Sequence, residues 1–501
     1  MLTENKVSPK VQALNDKAWV RWTALVLLAS AMFFGYIFMD VLSPLKSTLQ
    51  SLEGWTGDAY GCYAGSETFL NVFVFFLIFA GIILDKMGVR FTAILSGSVM
   101  LIGAFVNYLA LTEWFDNSSL KPFMEGFMNL PSAWWNITPF YEGMPASAKL
   151  SAIGFMIFGC GVEMAGITVS RGIVKWFAGK EMALAMGIEM AIARVGVAVV
   201  FLGSPVISEL GGEISVSRPV GLAVLLLLIG LMAFIVYSFM DKALEKQTGV
   251  KEEKDDPFKI SDLKYIFSSK VFWIVALLCV LYYSAIFPFQ KYANNMLQCN
   301  LGISEKEAGW VFFVFPLGAA AITPFLGKFL DSRGKGATML IYGALLMIVC
   351  HLTFAFLLPA VAHVPAGEPT PMTAYIVAYA AIVLLGISFS LVPASLWPSV
   401  PKLVDGKLLG SAYAVIFWIQ NIGLYAFPMI IGSVLENTNP DVPMIMNEET
   451  GQLVKNPLLY DYTWPMVLFA CLGGLALLFG LWLKTLDAKK HYGLELPNIK
   501  K

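Results

Sequence analysis

Twelve apolar stretches of about 20 residues constrain this chain more than any other feature of its sequence. A helix of roughly 20 apolar residues crosses about 30 Å of hydrocarbon, because each residue adds about 1.5 Å. Hydrophobic residues make up 57% of the chain and charged residues only 14%, which excludes an ordinary soluble domain. We therefore predict an all-α, multi-pass integral membrane protein with 12 transmembrane helices. The stretches lie near residues 22–43, 62–84, 91–111, 149–170, 182–203, 218–240, 271–290, 307–330, 337–358, 372–393, 409–432 and 464–484.

The distribution of basic residues predicts the orientation of these helices. Short cytoplasmic loops collect Lys and Arg. With the amino terminus in the cytoplasm, 26 of the 34 basic residues fall on the cytoplasmic side and seven on the outer side. Both termini are therefore predicted to be cytoplasmic. The formal net charge of −1 gives no support for nucleic-acid binding.

An internal repeat divides the chain into two halves. The pattern Gly, three residues, Asp, two residues, Gly occurs twice, 246 residues apart, and a polar stretch separates the copies. With their neighbouring arginines, the copies comprise Gly81, Asp85, Gly88 and Arg90, and Gly327, Asp331, Arg333 and Gly334. The repeat predicts two parallel halves. The predicted domains are a six-helix half at 1–240, a cytoplasmic linker at 241–270, a second six-helix half at 271–484 and a cytoplasmic tail at 485–501.

The repeated residues are interpreted as a cytoplasmic gate. Gly81 would let two helices approach closely, and Asp85 could accept hydrogen bonds from the amino terminus of a neighbouring helix. Gly88 would permit the tight turn before Arg90. The alternative is that Lys86 and Arg90 only anchor the topology. The presence of two copies in register favours the gate.

One acid and one base are predicted to lie at the same depth in the membrane. Arg194 is the basic residue that belongs to neither side, and Glu163 lies on the preceding predicted helix. Both lie roughly 16 to 18 Å from the cytoplasmic face by helical rise. Charges at that depth are costly, so they face a partner, a cavity or a ligand. A cavity that presents both charges would suit a zwitterion.

Other interpretations of these charges stay open. Glu163 and Arg194 could simply form a structural salt bridge. Glu189 is placed on another face of its helix, and Asp40 and Glu67 lie nearer the outer side, where either could serve as a gate or a second carboxylate. Acidic residues in the membrane are also candidate proton carriers.

The layout and the repeated loop pattern resemble the major facilitator superfamily. Within this superfamily, six short segments resemble the family of lysosomal dipeptide uniporters and its bacterial relatives. The segments are 158–164, 175–181, 190–196, 390–398, 409–413 and 419–424. This resemblance implies alternating access and facilitated diffusion of dipeptides. It also implies that Glu163 engages the peptide's amino group and Arg194 its carboxylate.

Simple chemistry agrees with that assignment. Two residues span at most about 7 Å, so a dipeptide presents opposite charges at short separation. The planar fork of Arg suits a carboxylate because it can donate two parallel hydrogen bonds. Trp397 is a candidate for a cation–π contact with the amino end. Further candidates for the opposite wall of the cavity are Asn421, Gln420, Tyr282 and Tyr283.

Other functions find less support in the sequence. No nucleophile elbow, phosphate loop or metal-ligand spacing is present, so we expect no enzyme, metal or cofactor. The alternatives are a proton-coupled organic-anion or monocarboxylate transporter and a non-transporting sensor or assembly partner. We expect a monomer in the lipid bilayer and leave an accessory subunit open.

Two further expectations concern the membrane and the cysteines. The tails lack an acidic dileucine signal, which favours a plasma membrane, such as the bacterial inner membrane, over a lysosome. A disulfide between Cys62 and Cys299 on the outer side is left open.

Overall fold

The computed structural model describes residues 13–131, 138–248, 260–363, 369–405, 408–447, 451 and 453–497, without the side chains of residues 183 and 260. Residues 249–259 of the predicted linker and 498–501 of the predicted tail therefore lie outside the described residues. Almost all the described secondary structure is helical. This is expected in hydrocarbon, where a helix satisfies its own backbone hydrogen bonds.

The helices of the first half alternate between long crossings and short connecting segments. They are α1 (Ala18–Asp40), α2 (Lys46–Glu53), α3 (Gly57–Ser66), α4 (Phe69–Phe73), α5 (Phe76–Ala110), α6 (Glu113–Asp116), α7 (Leu120–Gly126), α8 (Ala146–Phe177), α9 (Met182–Ser208) and α10 (Ser217–Thr248). Short 3₁₀ helices lie at Leu14–Asp16 and Ser43–Leu45.

The second half has a similar plan. Its helices are α11 (Ile260–Ser268), α12 (Lys270–Leu301), α13 (Glu305–Phe312), α14 (Val314–Arg333), α15 (Gly336–Leu352), α16 (Leu358–Ala362), α17 (Met372–Leu403), α18 (Leu409–Thr438) and α19 (Thr463–Lys490). A π-helical turn at Thr353–Leu357 joins α15 to α16.

Eleven helical segments of the described chain are long and apolar enough to span a membrane. The twelfth crossing is divided among α3, α4 and the start of α5. The helix α5 turns sharply at Gly88, whose φ is 79°, so its first part completes crossing two and its remainder forms crossing three. The described chain therefore makes twelve crossings.

The second crossing departs from the continuous helix predicted at 62–84. Helical geometry is interrupted between α3 and α4 and again before α5, where Phe75 has a φ of 55°. Irregular backbone at membrane depth is tolerated where it is packed in protein or lines a cavity. Here it packs against α18 of the other half. The crossing predicted at 62–84 is therefore present, but it is built from separate helical segments.

Close backbone contacts join the two halves on the outer side, where α3 packs against α18. A Cβ atom on Gly61 would lie 2.5 Å from the carbonyl oxygen of Pro428. A Cβ atom on Gly65 would lie 2.4 Å from the carbonyl oxygen of Tyr425. Real Cβ contacts are never that short, so these glycines are what allows the outer ends of the halves to meet.

A small β-hairpin, which the sequence analysis did not predict, covers part of this outer contact. Strands β1 (Met444–Met446) and β2 (Leu453–Lys455) pair antiparallel, with Ile445 opposite Val454. The side chain of Gln50 on α2 donates to the carbonyl oxygen of Lys455 at 2.9 Å. The hairpin of the second half thus packs against the first half.

The disulfide that the sequence left open is not formed. Cys62 and Cys299 are both free thiols, and Cys62 is buried on α3 beside Gly61. Cys299 lies near the end of α12, where its thiol contacts the carbonyl oxygen of Pro457 at 3.3 Å.

We predict that Gly61→Val holds the outer side open. The added side chain cannot fit against Pro428, and overpacking of about 1–3 kcal/mol corresponds to a roughly five- to 150-fold shift in population. Labelling of the native Cys62 by a membrane-impermeant maleimide, mapped by mass spectrometry, should increase accordingly.

Gly474→Val on α19 is the matched control, because a Cβ atom there meets nothing within 4 Å among the described residues. Its Cys62 should label as slowly as in the unchanged protein. Slow labelling of Cys62 in Gly61→Val would contradict the prediction.

Candidate functional site

Glu163 and Arg194 lie on adjacent crossings, on α8 and α9, and both are half-buried. The structure shows no ion pair between them. The side chain of Asn421, on α18 of the other half, lies close to Glu163. The simple structural salt bridge left open by the sequence is therefore not what the structure contains.

Arg194 reaches across to the second half. Its Nη1 donates to the carbonyl oxygen of Ala319 at 3.1 Å and to the hydroxyl of Thr323, both on α14. The guanidinium also lies over the ring of Phe389 on α17, 4.6 Å from its centre. Arginine has five N–H donors in a planar fork, so these contacts leave donors for a ligand.

Tyr36 on α1 connects the two charges. It is half-buried and lies within electrostatic range of Glu163 and Arg194, and of Glu67 and Glu189 as well. The acid and the base therefore both lie near this tyrosine. Sequence analysis missed Tyr36 because an aromatic residue in an apolar helix carries no pattern that separates it from packing.

The second half contributes an aromatic wall on the Arg194 side of the region around Tyr36. Tyr283 on α12 lies within electrostatic range of Arg194 and Tyr36. The indole nitrogen of Trp397 donates to the Tyr283 hydroxyl at 3.1 Å, and its ring stacks on Phe417 at 4.9 Å. The role of Trp397 at the amino end of a ligand stays a prediction; in the structure its contacts are with Tyr283, Tyr413 and Phe417.

Two other candidates are directed away from this wall. The hydroxyl of Tyr282 donates to the backbone of Leu340 on α15, and the residue is fully buried. The side-chain oxygen of Gln420 accepts a hydrogen bond from the thiol of Cys279 at 3.3 Å. The structure thus brings Tyr283 and Asn421 to the site and does not bring Tyr282 and Gln420 to it. Adjacent residues on a helix point about 100° apart, which is why sequence alone did not choose between Tyr282 and Tyr283.

A buried ion pair between the halves lies outward of the site. Asp40 on α1 is 1% exposed and pairs with Lys291 on α12 at 2.9 Å. It also accepts hydrogen bonds from Gln290 at 2.7 Å and Ser43 at 2.8 Å. Glu67, at the break between α3 and α4, lies within electrostatic range of this pair and of Glu163.

Lys291 is one of the seven basic residues that the charge distribution places on the outer side. It is only 8% exposed in the structure, and its ammonium also donates to the carbonyl oxygen of Met39 at 2.7 Å. Together the Asp40–Lys291 pair and the α3–α18 contact close the outer side of the site.

The cytoplasmic motif of the first half is built from ion pairs. Asp85 accepts a hydrogen bond from Arg171 on α8 at 2.6 Å. Arg90 pairs with Glu245 on α10. A Cβ atom on Gly81 would meet nothing within 4 Å among the described residues, so Gly81 allows no close approach in this conformation.

The second copy of the motif contacts the tail. Gly334 ends α14 with a φ of 72°, and a Cβ atom there would lie 2.4 Å from the backbone of Glu495. Asp331 and the exposed Arg333 lie in the last turn of α14. Gly327, like Gly81, has no close neighbour among the described residues. The gating role of both copies stays a proposal.

The chain is similar to known membrane transporters in sequence. The sequence model described as Major Facilitator Superfamily matches residues 28–428 and 292–496. The lysosomal dipeptide transporter MFSD1 of Danio rerio is 28% identical over 298 residues, and that of Homo sapiens is 27% identical over 296 residues. These alignments cover 57% and 58% of this chain. The chain spans 60% of the length of either relative.

Solved structures show the same fold at low sequence identity. A mutant of the nucleoside transporter NupG superposes with a TM-score of 0.66 at 14% identity, covering 92% of this chain and 99% of that one. The D-xylose-proton symporter superposes with a TM-score of 0.61 at 13% identity, covering 91% and 96%. The predicted fold of twelve helices in two halves is confirmed.

We predict that Lys291→Met destabilises the outer contact. Removing one partner leaves Asp40 buried and uncompensated, which typically costs about 3–5 kcal/mol. The melting temperature of the purified protein should fall, and the double variant Asp40→Asn with Lys291→Met should recover most of that loss.

Lys121→Met is the comparison, since Lys121 pairs with Asp116 at the surface at 2.7 Å. An exposed pair contributes about 0–1 kcal/mol, so this variant should melt close to the unchanged protein. A double Asp40 and Lys291 variant that melts below the Lys291→Met single would show that the pair is not the stabilising unit.

Proposed function

This chain belongs to the major facilitator superfamily, and on that premise we propose that it moves dipeptides across the membrane by alternating access. Glu163 binds the amino end and Arg194 the carboxylate. The observation that carries the proposal is that both charges lie near Tyr36 without pairing with each other. The names of the relatives support the substrate class.

The positions of the two charges fit a small zwitterion. A dipeptide carries its opposite charges at most about 7 Å apart. Glu163 has no ion-pair partner among the described residues, so the ammonium group of a ligand could form an ion pair with it. Arg194 keeps free N–H donors beyond the contacts of its Nη1 with α14, and these suit a carboxylate.

The second half supplies the rest of the proposed binding site. Asn421 lies beside Glu163 at the amino end, and Tyr283 with Trp397 forms a wall beside Arg194. Aromatic walls restrict a ligand's side chains little, because they offer area rather than fixed hydrogen bonds. We therefore expect broad selectivity among dipeptides.

The proposed transport cycle moves one half against the other around this site. The outer contacts at Gly61, Gly65, Asp40 and Lys291 join the halves here, so this conformation is closed to the outside. Opening to the outside would separate those contacts and bring the cytoplasmic ends together. Asp85, Gly88 and the corresponding residues of the second copy are proposed to act in that step.

We also propose that transport is facilitated diffusion rather than proton symport. The ammonium group of the substrate supplies the positive charge that balances Glu163. Glu163 therefore needs no proton while the protein moves the substrate across the membrane. The proposed location is a plasma membrane, such as a bacterial inner membrane, whereas the relatives are named as lysosomal.

The binding roles are tested with purified protein in proteoliposomes. We predict that Arg194→Ala and Glu163→Gln each reduce uptake of labelled dialanine by about ten- to a hundredfold or more, because a hydrogen bond to a charged group contributes about 1.5–3 kcal/mol. Thermal stabilisation by dialanine should disappear when either end of the peptide is blocked.

Two results of that experiment would contradict the proposal. Stabilisation by an end-blocked dipeptide would show that the two charges do not read the peptide's ends. Uptake of lactate that survives Glu163→Gln but not Arg194→Ala would assign the site to an organic-anion carrier instead. Lys121→Met, which removes an exposed ion pair with Asp116 away from the site, is the control for folding.

The coupling mode is tested by the accumulation ratio. We predict that an inward proton gradient leaves the final internal concentration of dialanine equal to the external one. A uniporter equilibrates its substrate, whereas a symporter accumulates it. Accumulation that depends on the gradient and is lost in Glu163→Gln or Glu67→Gln would show that one of these carboxylates carries a proton.

A further inference from the structure

The second crossing is distorted where it passes α18. Phe75 adopts a left-handed conformation, with a φ of 55°, which is strained for a residue with a side chain and persists only where the surroundings hold it. Trp418 on α18 stabilises this conformation. Its indole nitrogen donates to the carbonyl oxygen of Val72 at 2.9 Å, and its ring stacks on Phe75 at 5.4 Å.

A cavity lies between this distorted segment and α18, and two asparagines line it. Asn71 comes from the first half and Asn421 from the second, and each is only 2% exposed. Phe75 and Trp418 form part of its apolar lining. By chain direction, Phe75 and Trp418 lie on the cytoplasmic side of the asparagines, because crossing two runs inward and α18 runs outward.

The polar groups of the two asparagines have unused hydrogen-bonding capacity. Neither the Nδ2 nor the Oδ1 atom of Asn71 has a hydrogen-bond partner among the described residues, and the same holds for Oδ1 of Asn421. Buried amide groups are normally satisfied. Asn295, buried on α12, is fully satisfied: its Nδ2 donates to Pro457 and its Oδ1 accepts from Lys46 and Tyr462. Asn107 and Asn294 lack a partner only at Oδ1, so Asn71 differs from them in lacking one at both amide atoms.

The asparagine cavity adjoins the proposed amino-end site, since Asn421 lines the cavity and its side chain also lies close to Glu163. An ammonium group has three N–H donors and no acceptor. Glu163, Oδ1 of Asn421 and Oδ1 of Asn71 offer three acceptors from three different crossings. The unused Nδ2 of Asn71 is a donor, which suits the carbonyl oxygen two bonds from the amino-bearing carbon of a peptide.

We propose that Asn71 is a substrate-binding residue that completes, with Asn421 and Glu163, a subsite for the free α-amino end of the dipeptide. This inference rests on the proposed function and adds a residue to it. Because Asn71 and Asn421 come from opposite halves, the ligand would be bound fully only when the distorted segment and α18 are in contact. The strained segment around Phe75 is then the part of the first half that is shaped for the ligand.

The competing explanation is that ordered water satisfies both amides. Buried waters commonly fill such roles in small polar cavities. In that case the asparagines are part of the packing, and removing them has no specific effect on the ligand. The two explanations therefore differ in how stability and binding respond to the same substitution.

The test replaces the amide with an apolar side chain of similar size. Asn71→Leu removes the unsatisfied polar groups, so the ligand-free protein should melt no lower than the unchanged protein. Its affinity for dialanine should nevertheless fall about ten- to a hundredfold, the loss expected for hydrogen bonds to a charged group. Affinity is measured by isothermal titration calorimetry on the purified full chain.

The matched control is Asn107→Leu. Asn107 is a buried asparagine on α5 that donates to the Tyr63 hydroxyl at 3.0 Å, away from the cavity. This variant should lower the melting temperature and leave the affinity for dialanine unchanged. If Asn71→Leu does not fold, Asn71→Ser is measured instead. The short serine hydroxyl cannot reach both the ammonium group and the carbonyl oxygen of the dipeptide.

A second ligand locates the contact. Propionyl-alanine keeps the peptide bond and the carboxylate but lacks the amino group, so its weaker binding should be changed by Asn71→Leu much less than that of dialanine. Equal fold-losses for both ligands would overturn the amino-end assignment. Unchanged dialanine affinity in Asn71→Leu would overturn the inference altogether. Failure of the unchanged protein to bind any dipeptide would instead refute the proposed function.

Discussion

The cost of placing a charge inside the membrane organises this structure. An ionised side chain in hydrocarbon must find a partner, a cavity or a ligand. Asp40 pairs with Lys291, and toward the cytoplasmic ends of the helices Asp85 pairs with Arg171 and Asp241 with Lys175 at 2.7 Å. Glu163 and Glu189 have no ion-pair partner among the described residues. These unpaired carboxylates lie around Tyr36, and that contrast distinguishes the site from the scaffold.

The sequence was sufficient for the architecture because hydrocarbon permits so few backbone solutions. Apolar length gave the crossings, the excess of Lys and Arg gave the orientation, and the 246-residue repeat gave the halves. The break around Phe75 was not predictable, since Trp418 holds it from 343 residues further along the chain. The β-hairpin at Met444–Met446 and Leu453–Lys455 was missed because three-residue strands in a polar loop carry no periodic signal.

The site was predictable only where a residue type was out of place. Glu163 and Arg194 stood out as charges at mid-depth, and helical rise alone gave them a common level. Tyr36, Thr323 and Asn71 belong to residue types that occur throughout apolar helices, so no sequence pattern marked them. Their involvement depends on tertiary contacts such as the hydrogen bond from Arg194 to α14.

The outer closure joins the halves through ring contacts such as Tyr60 with Tyr292 and also through polar and small residues. The proposed alternating access gives a physical reason for the polar and small ones. A transporter needs two conformations within a few kcal/mol of each other, so that a ligand can shift the balance between them. A large apolar interface would hold one state too firmly, because burial is favourable in proportion to its area. A buried pair such as Asp40–Lys291 is strongly directional, yet its net contribution is small once desolvation is counted. Backbone contacts at Gly61 and Gly65 likewise fix the closed geometry while burying little side-chain surface. These contacts therefore fix the shape of the outer closure, and the proposed transport cycle requires them to break and re-form.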